Sequence, residues 1–244
     1  MERLCAGYDD KVVLRDVSFS VKRGEIFVIL GGSGCGKSTL LKNLIGLYSP
    51  LSGSIRIKSQ TLETLEGDAR GKLLRSFGVM YQSGALFGSM TIAENVALPM
   101  REFTRLAPEA IALAARMKLK LVGLAEYADY LPSAISGGMQ KRAAIARALA
   151  LDADLVFLDE PSAGLDPVTA AGLDRLIMTL SESLGITFVI VTHELQSIMT
   201  IADRIIMLDK STKSIIAEGV PEELKRQPPN DIVRRFFNRE EEMP

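Results

Sequence analysis

The nine residues GGSGCGKST at positions 31–39 combine the groups that a nucleotide phosphate chain requires. They match the pattern G-x-x-x-x-G-K-[ST] and lie between an apolar strand candidate and a helix candidate. Glycines let successive backbone N–H groups close around a phosphate, while Lys37 can reach the β- and γ-phosphates and the Ser38 hydroxyl can bind Mg²⁺. A glycine-rich turn that binds nothing is the alternative, and the flanking elements argue against it. The predicted phosphate-binding residues are Gly31, Gly32, Ser33, Gly34, Cys35, Gly36, Lys37, Ser38 and Thr39.

A second glycine-rich segment, ISGGMQKR, stands about a hundred residues later and precedes a run of good helix formers. Its Ser136, Gly137 and Gly138 therefore lie where a helix N-terminus leaves backbone N–H groups free. The positive end of the helix dipole adds to the attraction for a negative charge. The segment predicts a second anion site in a chain that already has one.

Two acids end the apolar stretch LVFLDEP, and a histidine ends the apolar stretch FVIVTHE. Asp159 can hold Mg²⁺ through a water ligand, and Glu160 can polarise a water that attacks a phosphate. His193, the only histidine, lies at a carboxyl strand edge, where ligands bind in open α/β sheets. The acids could instead cap the next turn, and a lone histidine is usually a satisfied polar residue. The neighbouring phosphate loop favours roles in catalysis.

Strand and helix candidates alternate along most of the chain, as in an α/β core with a parallel sheet. The stretches DVSFSV (16–21), EIFVIL (25–30) and SIRIK (54–58) are predicted strands, and the first two are joined by a KRGE turn. The continuous apolar run ITFVIVT is typical of a parallel strand covered on both faces. RIIMLDKSTKSIIAEG alternates around a polar turn and predicts a hairpin.

The pattern between residues 82 and 150 is helical instead. TIAE at 91–94 fits a capping box, and Pro108 fits the first position of a helix that ends near Gly123. Further on, Asp166 can cap a helix that has a proline at its first position. We therefore expect a parallel sheet that is interrupted by a helical insert.

Composition limits the function classes. The 244 residues suit one large or two small domains, and 29 Lys and Arg nearly balance 30 Asp and Glu. This balance argues against a broad basic surface for nucleic acid. No apolar run approaches the roughly 18–20 residues that cross a bilayer, and we expect no secretory signal. Cys5 and Cys35 are the only cysteines, which predicts a reducing cytoplasm rather than a disulfide framework.

The phosphate loop, YQSG, SGG, LDEP, SAGLD and VTHE occur in an order and spacing that resemble an ATP-binding cassette (ABC) ATPase over essentially the whole chain. The resemblance implies an α/β P-loop NTPase fold. This fold has a RecA-like parallel-sheet core, an N-terminal antiparallel β subdomain and an inserted helical signature subdomain. It implies an ATPase domain at 1–220, with the helical subdomain at about 83–150, and a tail at 221–244. The tail is expected to be helical, with a disordered charged end as the alternative.

The resemblance also implies ATP and Mg²⁺ as cofactors and a head-to-tail dimer of two copies. Ser136, Gly137 and Gly138 would then contact the γ-phosphate held by the second copy, and Asp166 would link the two sites. Tyr8 is expected to stack on adenine, with an ordinary surface residue as the alternative. The implied catalytic residues are Glu160, His193, Gln82 and Lys37. The implied Mg²⁺ residues are Ser38, Gln82 and Asp159.

The signature departs from the family's usual L-S-G-G-Q at Ile135 and Met139. Methionine removes a side-chain amide near the nucleotide, although Gln140 follows directly and Ser-Gly-Gly is intact. We expect activity to survive.

One cassette without a long coiled-coil insertion favours a transporter subunit, and the stretches around YQSG and ISGGMQKR are most similar to the Mla-type ATPases. That group implies phospholipid transport across or between bacterial envelope membranes, with this subunit at the cytoplasmic face of the inner membrane. It also implies a multispanning permease and an MCE-domain protein as partners, and no nucleic acid. The alternatives are the ATPase of another importer, for amino acids or metals, and a soluble ATP-driven switch. In SGALFGSM, Leu86, Phe87 and Met90 are either local core or a groove for the permease.

Overall fold

The computed structural model describes residues 1–8 and 11–240, so Asp9, Asp10 and 241–244, the end of the predicted tail, lie outside the described residues. The strands are β1 (Glu2–Tyr8), β2 (Lys11–Val17), β3 (Ile26–Gly31), β4 (Ser52–Ser54), β5 (Arg56–Ile57), β6 (Gln60–Thr61), β7 (Gly78–Met80), β8 (Leu155–Asp159), β9 (Thr187–Val191), β10 (Arg204–Asp209) and β11 (Ser214–Gly219). The α-helices are α1 (Lys37–Leu44), α2 (Gly67–Leu74), α3 (Ile92–Phe103), α4 (Pro108–Leu121), α5 (Gly137–Ala148), α6 (Pro167–Leu184), α7 (Leu195–Ile201), α8 (Pro221–Arg226) and α9 (Asp231–Asn238).

The central sheet has the strand order β11-β10-β3-β9-β8-β7. Strands β7, β8, β9, β3 and β10 are parallel, and β11 pairs antiparallel with β10, which confirms the predicted hairpin. Every residue of β3 and β9 is buried, as expected for strands that are covered on both faces. Because parallel strands end at one edge, the segments that follow β3, β8 and β9 meet there.

The N-terminal part forms a separate three-stranded antiparallel sheet of order β2-β1-β4. The predicted strand at 16–21 is wrong in its bounds, because pairing with β1 ends β2 at Val17. The KRGE turn does not join paired strands, since β2 and β3 belong to different sheets. The predicted strand at 54–58 is split between β4 and β5. Strand β1 was not predicted, although its Leu4 and Ala6 alternate and are fully buried.

Helices α3, α4 and α5 form the helical insert between β7 and β8. Thr91 and Glu94 form the predicted capping box at the start of α3, and Pro108 occupies the first turn of α4, which ends at Leu121. The apolar faces of the three helices bury one another through Val96, Leu119 and other side chains of the main core cluster. Packing against α3 and α4 thus fixes the orientation of α5 and of its N-terminus.

The chain closes with α8 and α9, which lie within the predicted tail. Val233 and Phe237 of α9 are buried, and Asn230 caps the helix by accepting from the Val233 N–H at 3.0 Å. The Asn230 side chain also donates to the Ile216 carbonyl of β11 at 3.1 Å. These contacts attach α9 to its own chain. Within residues 1–8 and 11–240, no helix is both long enough and apolar enough to cross a membrane.

Candidate functional site

The phosphate loop connects β3 to α1 with three glycines in the left-handed region of backbone space. Gly34 has a φ of 73° and Gly36 a φ of 107°, which side-chain-bearing residues rarely adopt. A Cβ on Gly31 would lie 2.4 Å from the Leu208 carbonyl oxygen, so the adjacent strand also excludes a side chain there. The loop therefore presents backbone N–H groups and little steric bulk before α1.

Lys37 and Tyr8 both contact the loop or the helix that follows it. The Lys37 ammonium donates to the Gly31 carbonyl at 2.7 Å and to the Gly32 carbonyl at 3.1 Å. The Thr39 hydroxyl donates to the Tyr8 hydroxyl at 3.0 Å, and the Tyr8 ring is 38% exposed. The structure thus places an exposed aromatic ring beside the first turn of α1, where the adenine role of Tyr8 remains a prediction.

Asp159 ends β8, and Glu160 follows it beside His193, which follows β9. The Glu160 N–H donates to the Val191 carbonyl at 2.8 Å, and Glu160 has a φ of 45°. Its Oε1 lies 2.8 Å from His193 Nδ1. Its Oε2 is buried and, in the described part of the chain, has no hydrogen-bond partner. A buried, unpaired carboxylate oxygen is costly, and a water that approaches a bound phosphate would satisfy it.

The electrostatics of this edge favour a bound cation. Burial and the neighbouring Glu160 raise the pKa of Asp159, while Lys141, Lys37 and Lys42 act in the opposite direction. The predicted donors of Ser38, Gln82 and Asp159 are hard oxygens, which Mg²⁺ prefers. Among the described residues no cluster of three or more His, Cys, Asp or Glu could hold a metal. The predicted ligands Ser38, Gln82 and Asp159 include a single carboxylate. They fit Mg²⁺, which is usually bound through one or two carboxylates and substrate phosphates.

Gln82 follows β7 in a loop that α5 holds in place. Its carbonyl accepts from the Lys141 ammonium, which also lies 3.5 Å from the Glu160 carbonyl. Arg147, farther along α5, donates to the Gly84 carbonyl at 2.8 Å and to the Ala85 carbonyl at 2.7 Å. Sequence reasoning did not identify Lys141. The only available signal was a lysine that follows the signature glycines within a run of helix formers.

The signature turn is the N-terminus of α5. The Ser136 side chain accepts from the Met139 N–H at 3.3 Å, so it caps the helix. Ser136 and Gly137 are exposed, and Gly138 is buried against Thr169. The Gln140 amide donates to the Pro132 and Ile135 carbonyls at 3.0 and 3.3 Å. Gln140 is thus occupied in holding the preceding loop and does not replace the amide that Met139 lacks.

Asp166 caps α6, as predicted. Its Oδ1 accepts from the Val168 N–H at 3.1 Å and the Thr169 N–H at 3.0 Å. The Thr169 hydroxyl donates to Oδ2 at 2.5 Å, and this hydrogen bond is the main reason that the Asp166 pKa is lowered. Thr169 also packs against Gly138, so the SAGLD and SGG segments are neighbours. The role of Asp166 in linking two sites stays a prediction.

The structure therefore divides the predicted site residues into two groups. The phosphate loop, Asp159, Glu160 and His193 meet at the carboxyl edge of the central sheet, and Gln82 is tied to this group through Lys141. Ser136 and Gly137 stand apart at the exposed start of α5. Within residues 1–8 and 11–240, no hydrogen bond connects either residue to the phosphate loop.

Comparisons with known proteins identify the family. The family model described as "ABC transporter" matches residues 14–163. The chain is 40% identical over 215 residues to the intermembrane phospholipid transport ATP-binding protein MlaF of Haemophilus influenzae, covering 88% of this chain and 81% of that protein. It is 38% identical over 229 residues to MlaF of Escherichia coli K12, covering 94% of this chain and 84% of that protein.

A second group of relatives, also 40% identical to this chain, has longer chains. The probable ribonucleotide transport ATP-binding protein Mkl of Mycobacterium leprae is 40% identical over 235 residues, which cover 96% of this chain and 67% of that protein. Its counterpart in Mycobacterium bovis is covered over 65% of its length. The chain thus spans about two thirds of these mycobacterial relatives.

Solved structures confirm the predicted fold class. A dimeric post-hydrolysis state of an ATP-binding cassette bound to ADP and Pi superposes with a TM-score of 0.80 at 32% identity, covering 90% of this chain and 97% of that one. A cassette from Clostridium perfringens, described as part of the complex cbiONQ, superposes with a TM-score of 0.82 at 28% identity, covering 98% and 97%. This chain therefore belongs to the ABC transporter family, as one of its ATP-hydrolysing cassettes.

Proposed function

We propose that two copies of this chain hydrolyse ATP between them and drive phospholipid transport through a membrane permease. The main observation that supports this proposal is the separation of the two predicted anion sites. The phosphate loop lies with the catalytic carboxylates, whereas Ser136 and Gly137 are exposed and, among residues 1–8 and 11–240, form no hydrogen bond with the phosphate loop. A head-to-tail pair would bring each signature turn to the nucleotide of the other copy. The dimeric cassette structures similar to this chain support this pairing.

The roles of the site residues follow from their chemistry. Glu160 Oε2 would polarise the water that attacks the γ-phosphate. His193 contacts Oε1 through Nδ1, and its exposed ring is free to contact the γ-phosphate. Lys37 and the loop N–H groups bind the β- and γ-phosphates. Ser38, Gln82 and Asp159 would hold Mg²⁺, and the bound ion would neutralise part of the negative charge of the phosphates.

The domain assignment is part of the same proposal. Residues 1–220 form the ATPase domain, with the insert at about 83–150, and 221–244 form a tail. The chain is placed at the cytoplasmic face of a bacterial inner membrane, bound to its permease. An MCE-domain protein is proposed as a further partner. The names of the MlaF relatives support phospholipid as substrate, while the mycobacterial names make ribonucleotides the competing substrate.

The segment after Gln82 offers a surface for the permease. Leu86 packs against the core, but the Phe87 side chain is 51% exposed, so Phe87 is not local core. The buried Asn95 accepts from the Phe87 N–H at 2.7 Å and donates to the Phe87 carbonyl at 3.1 Å. A loop fixed in this way presents the aromatic ring without further ordering, which favours binding of a partner helix.

The ATPase dimer is tested with Glu160→Gln. The variant should bind ATP but lose about 10²–10⁴-fold in hydrolysis, the usual effect of removing a general base. Because closure is intact and its release is blocked, ATP should convert the variant from monomer to dimer in size-exclusion chromatography. Lys37→Ala is the control that should remain monomeric with ATP. Near-normal turnover by pure Glu160→Gln would exclude Glu160 as the polarising residue.

Docking is tested with Phe87→Asp. A carboxylate in an apolar contact must be desolvated without a partner, so recovery of the multispanning protein from detergent-solubilised membranes should fall at least tenfold. Phe103→Asp, which adds the same charge to another exposed phenylalanine, should keep recovery unchanged. Both variants should melt like the parent protein. Undiminished recovery with Phe87→Asp would remove this docking surface.

Phospholipid as substrate is tested with the purified complex in liposomes. ATP should drive transfer of a fluorescent phospholipid, and the Glu160→Gln complex should not support it. Uptake of a labelled ribonucleotide by the same liposomes, without lipid transfer, would favour the competing substrate. A chain that never recovers a membrane protein would instead act as a soluble switch.

A further inference from the structure

A buried lysine joins the signature helix to both catalytic segments of the same chain. Lys141 lies one turn after Gly137 on α5 and is only 8% exposed. Its ammonium donates to the Gln82 carbonyl and lies 3.5 Å from the Glu160 carbonyl. No carboxylate of residues 1–8 and 11–240 forms a salt bridge with it.

Burial of the Lys141 ammonium would be energetically costly if the side chain served only to fill space. An ammonium that leaves water without a directly paired anion loses solvation that two carbonyl groups replace only in part. Burial accordingly lowers the pKa of Lys141, while the charges of Asp159 and Glu160 raise it. An apolar side chain of the same length would fill the volume without that cost, but it would leave both carbonyls without this donor. The contacts, rather than the volume, are the feature that requires a lysine.

Three segments meet at Lys141 and have different roles in the proposed dimer: the first turn of α5, the loop with Gln82 and the turn with Glu160. The first turn of α5 faces the nucleotide of the second copy, whereas Gln82 and Glu160 act on the nucleotide of their own copy. Glu160 has a left-handed φ, so its carbonyl and its carboxylate are oriented by one strained turn. A shift of α5 that pulls on the Glu160 carbonyl would therefore reposition the carboxylate as well.

We propose that Lys141 is a positioning residue that couples the two ATP sites of the dimer. Nucleotide bound at the signature turn of one chain orients Gln82 and Glu160 of that same chain through the Lys141 ammonium. The inference rests on the proposed head-to-tail dimer and goes beyond it, since a dimer needs no such connection to bind two nucleotides. It predicts that hydrolysis depends cooperatively on ATP concentration and that this cooperativity requires Lys141.

The test compares ATPase activity against ATP concentration for the wild type, Lys141→Met and Lys141→Arg. Methionine keeps the length and removes the donors. We expect kcat to fall about tenfold to a hundredfold, the effect of a misplacement of about 1 Å in a catalytic group. The Hill coefficient should fall from above one to about one, and KM should change little. Arginine keeps charge and donors, so it should restore both kcat and the Hill coefficient in large part.

A matched control uses a lysine of the same insert. Lys118 is partly buried and pairs with the exposed Asp152, and in the described part of the chain its ammonium makes no hydrogen bond to Gln82 or Glu160, so Lys118→Met should leave kcat and the Hill coefficient unchanged. If Lys141→Met does not fold, Lys141→Arg is compared with Lys141→Gln, whose neutral side chain is one bond too short to keep both carbonyl contacts. Retained cooperativity in the arginine variant and its loss in the glutamine variant would support the proposal.

Different results would contradict the head-to-tail dimer and the coupling through Lys141. If Glu160→Gln forms no dimer with ATP, the dimer itself is wrong. If that dimer forms, the proposal is overturned by a non-cooperative wild type. Folded Lys141 variants that all match the wild type in kcat and Hill coefficient would overturn it as well.

Discussion

The phosphate loop and the signature turn look alike in sequence but use their glycines for different reasons. Both are glycine-rich segments that lead into a helix. In the loop, Gly34 and Gly36 have positive φ values, so the backbone path itself requires glycine. In the signature, Gly138 is required by contact, because a Cβ there would lie 2.3 Å from the Thr169 methyl group. A Cβ on Gly137 would have the Leu165 side chain, 3.9 Å away, as its nearest neighbour.

The phosphate loop is therefore a complete phosphate-binding site. The signature turn contains only some of the groups that such a site needs, and we call it a half-site. The loop contains a positively charged side chain, because the Lys37 ammonium donates to the Gly31 and Gly32 carbonyls. The signature turn has only a capping serine and an open glycine, with the positive end of α5 behind them. A half-site gains a function when another molecule supplies the phosphate.

A negative charge at the open glycine should abolish hydrolysis. Gly137→Asp places a carboxylate at the turn that is to receive a phosphate, and like charges repel there. We expect ATPase activity to fall more than a hundredfold while the monomer keeps its nucleotide affinity, because its own loop is untouched. Ser133→Asp adds the same charge before the helix begins and should remain active. Loss of ATP binding by the Gly137→Asp monomer in a titration would mean that the turn acts within one chain.

The other signature glycine should affect stability more than Gly137 does. In Gly138→Ala the new methyl group overlaps Thr169, whose hydroxyl is tied to Asp166, so α5 or α6 must shift. We expect a loss of about 1–3 kcal/mol in the free energy of unfolding. Gly137→Ala has space and gains helix propensity, so its stability should not fall. Denaturant unfolding of both variants checks the contrast, and equal losses would contradict it.

The parts of the site that sequence reasoning identified are those that local patterns encode. The loop, the capping box at Thr91 and the Asp166 cap each depend on residues within a few positions. Lys141 could not be identified in this way, since its partner Gln82 is 59 positions away. Strand β1 was missed because Leu4 and Ala6 acquire their burial from pairing with β2. Long-range packing, rather than any local propensity, determines these features.

The two regions also differ in the ionisable side chains that they contain. The phosphate-loop side contains Asp159, whose pKa is raised by burial and by Glu160. The folded state therefore binds this proton more tightly than the unfolded state does. The contribution of Asp159 to stability thus falls as pH rises from the ordinary value of 3.8 through the folded pKa, and the penalty is complete above it. Residues 135–139 of the signature contain no ionisable side chain and should show no such dependence.

Asp159→Asn should consequently stabilise the nucleotide-free protein at neutral pH while it impairs Mg²⁺-dependent hydrolysis. We expect Tm to rise on the order of 2 °C at pH 7, a small change for a chain of this length. The gain should shrink as pH falls towards the ordinary carboxyl range, because the wild-type carboxylate is then protonated as well. Added Mg²⁺ and ATP should stabilise the wild type more than the variant, since a bound cation removes the penalty. A variant that melts below the wild type at pH 7 would show that the ionised Asp159 stabilises this edge without a cation, and the electrostatic contrast between the two regions would be wrong.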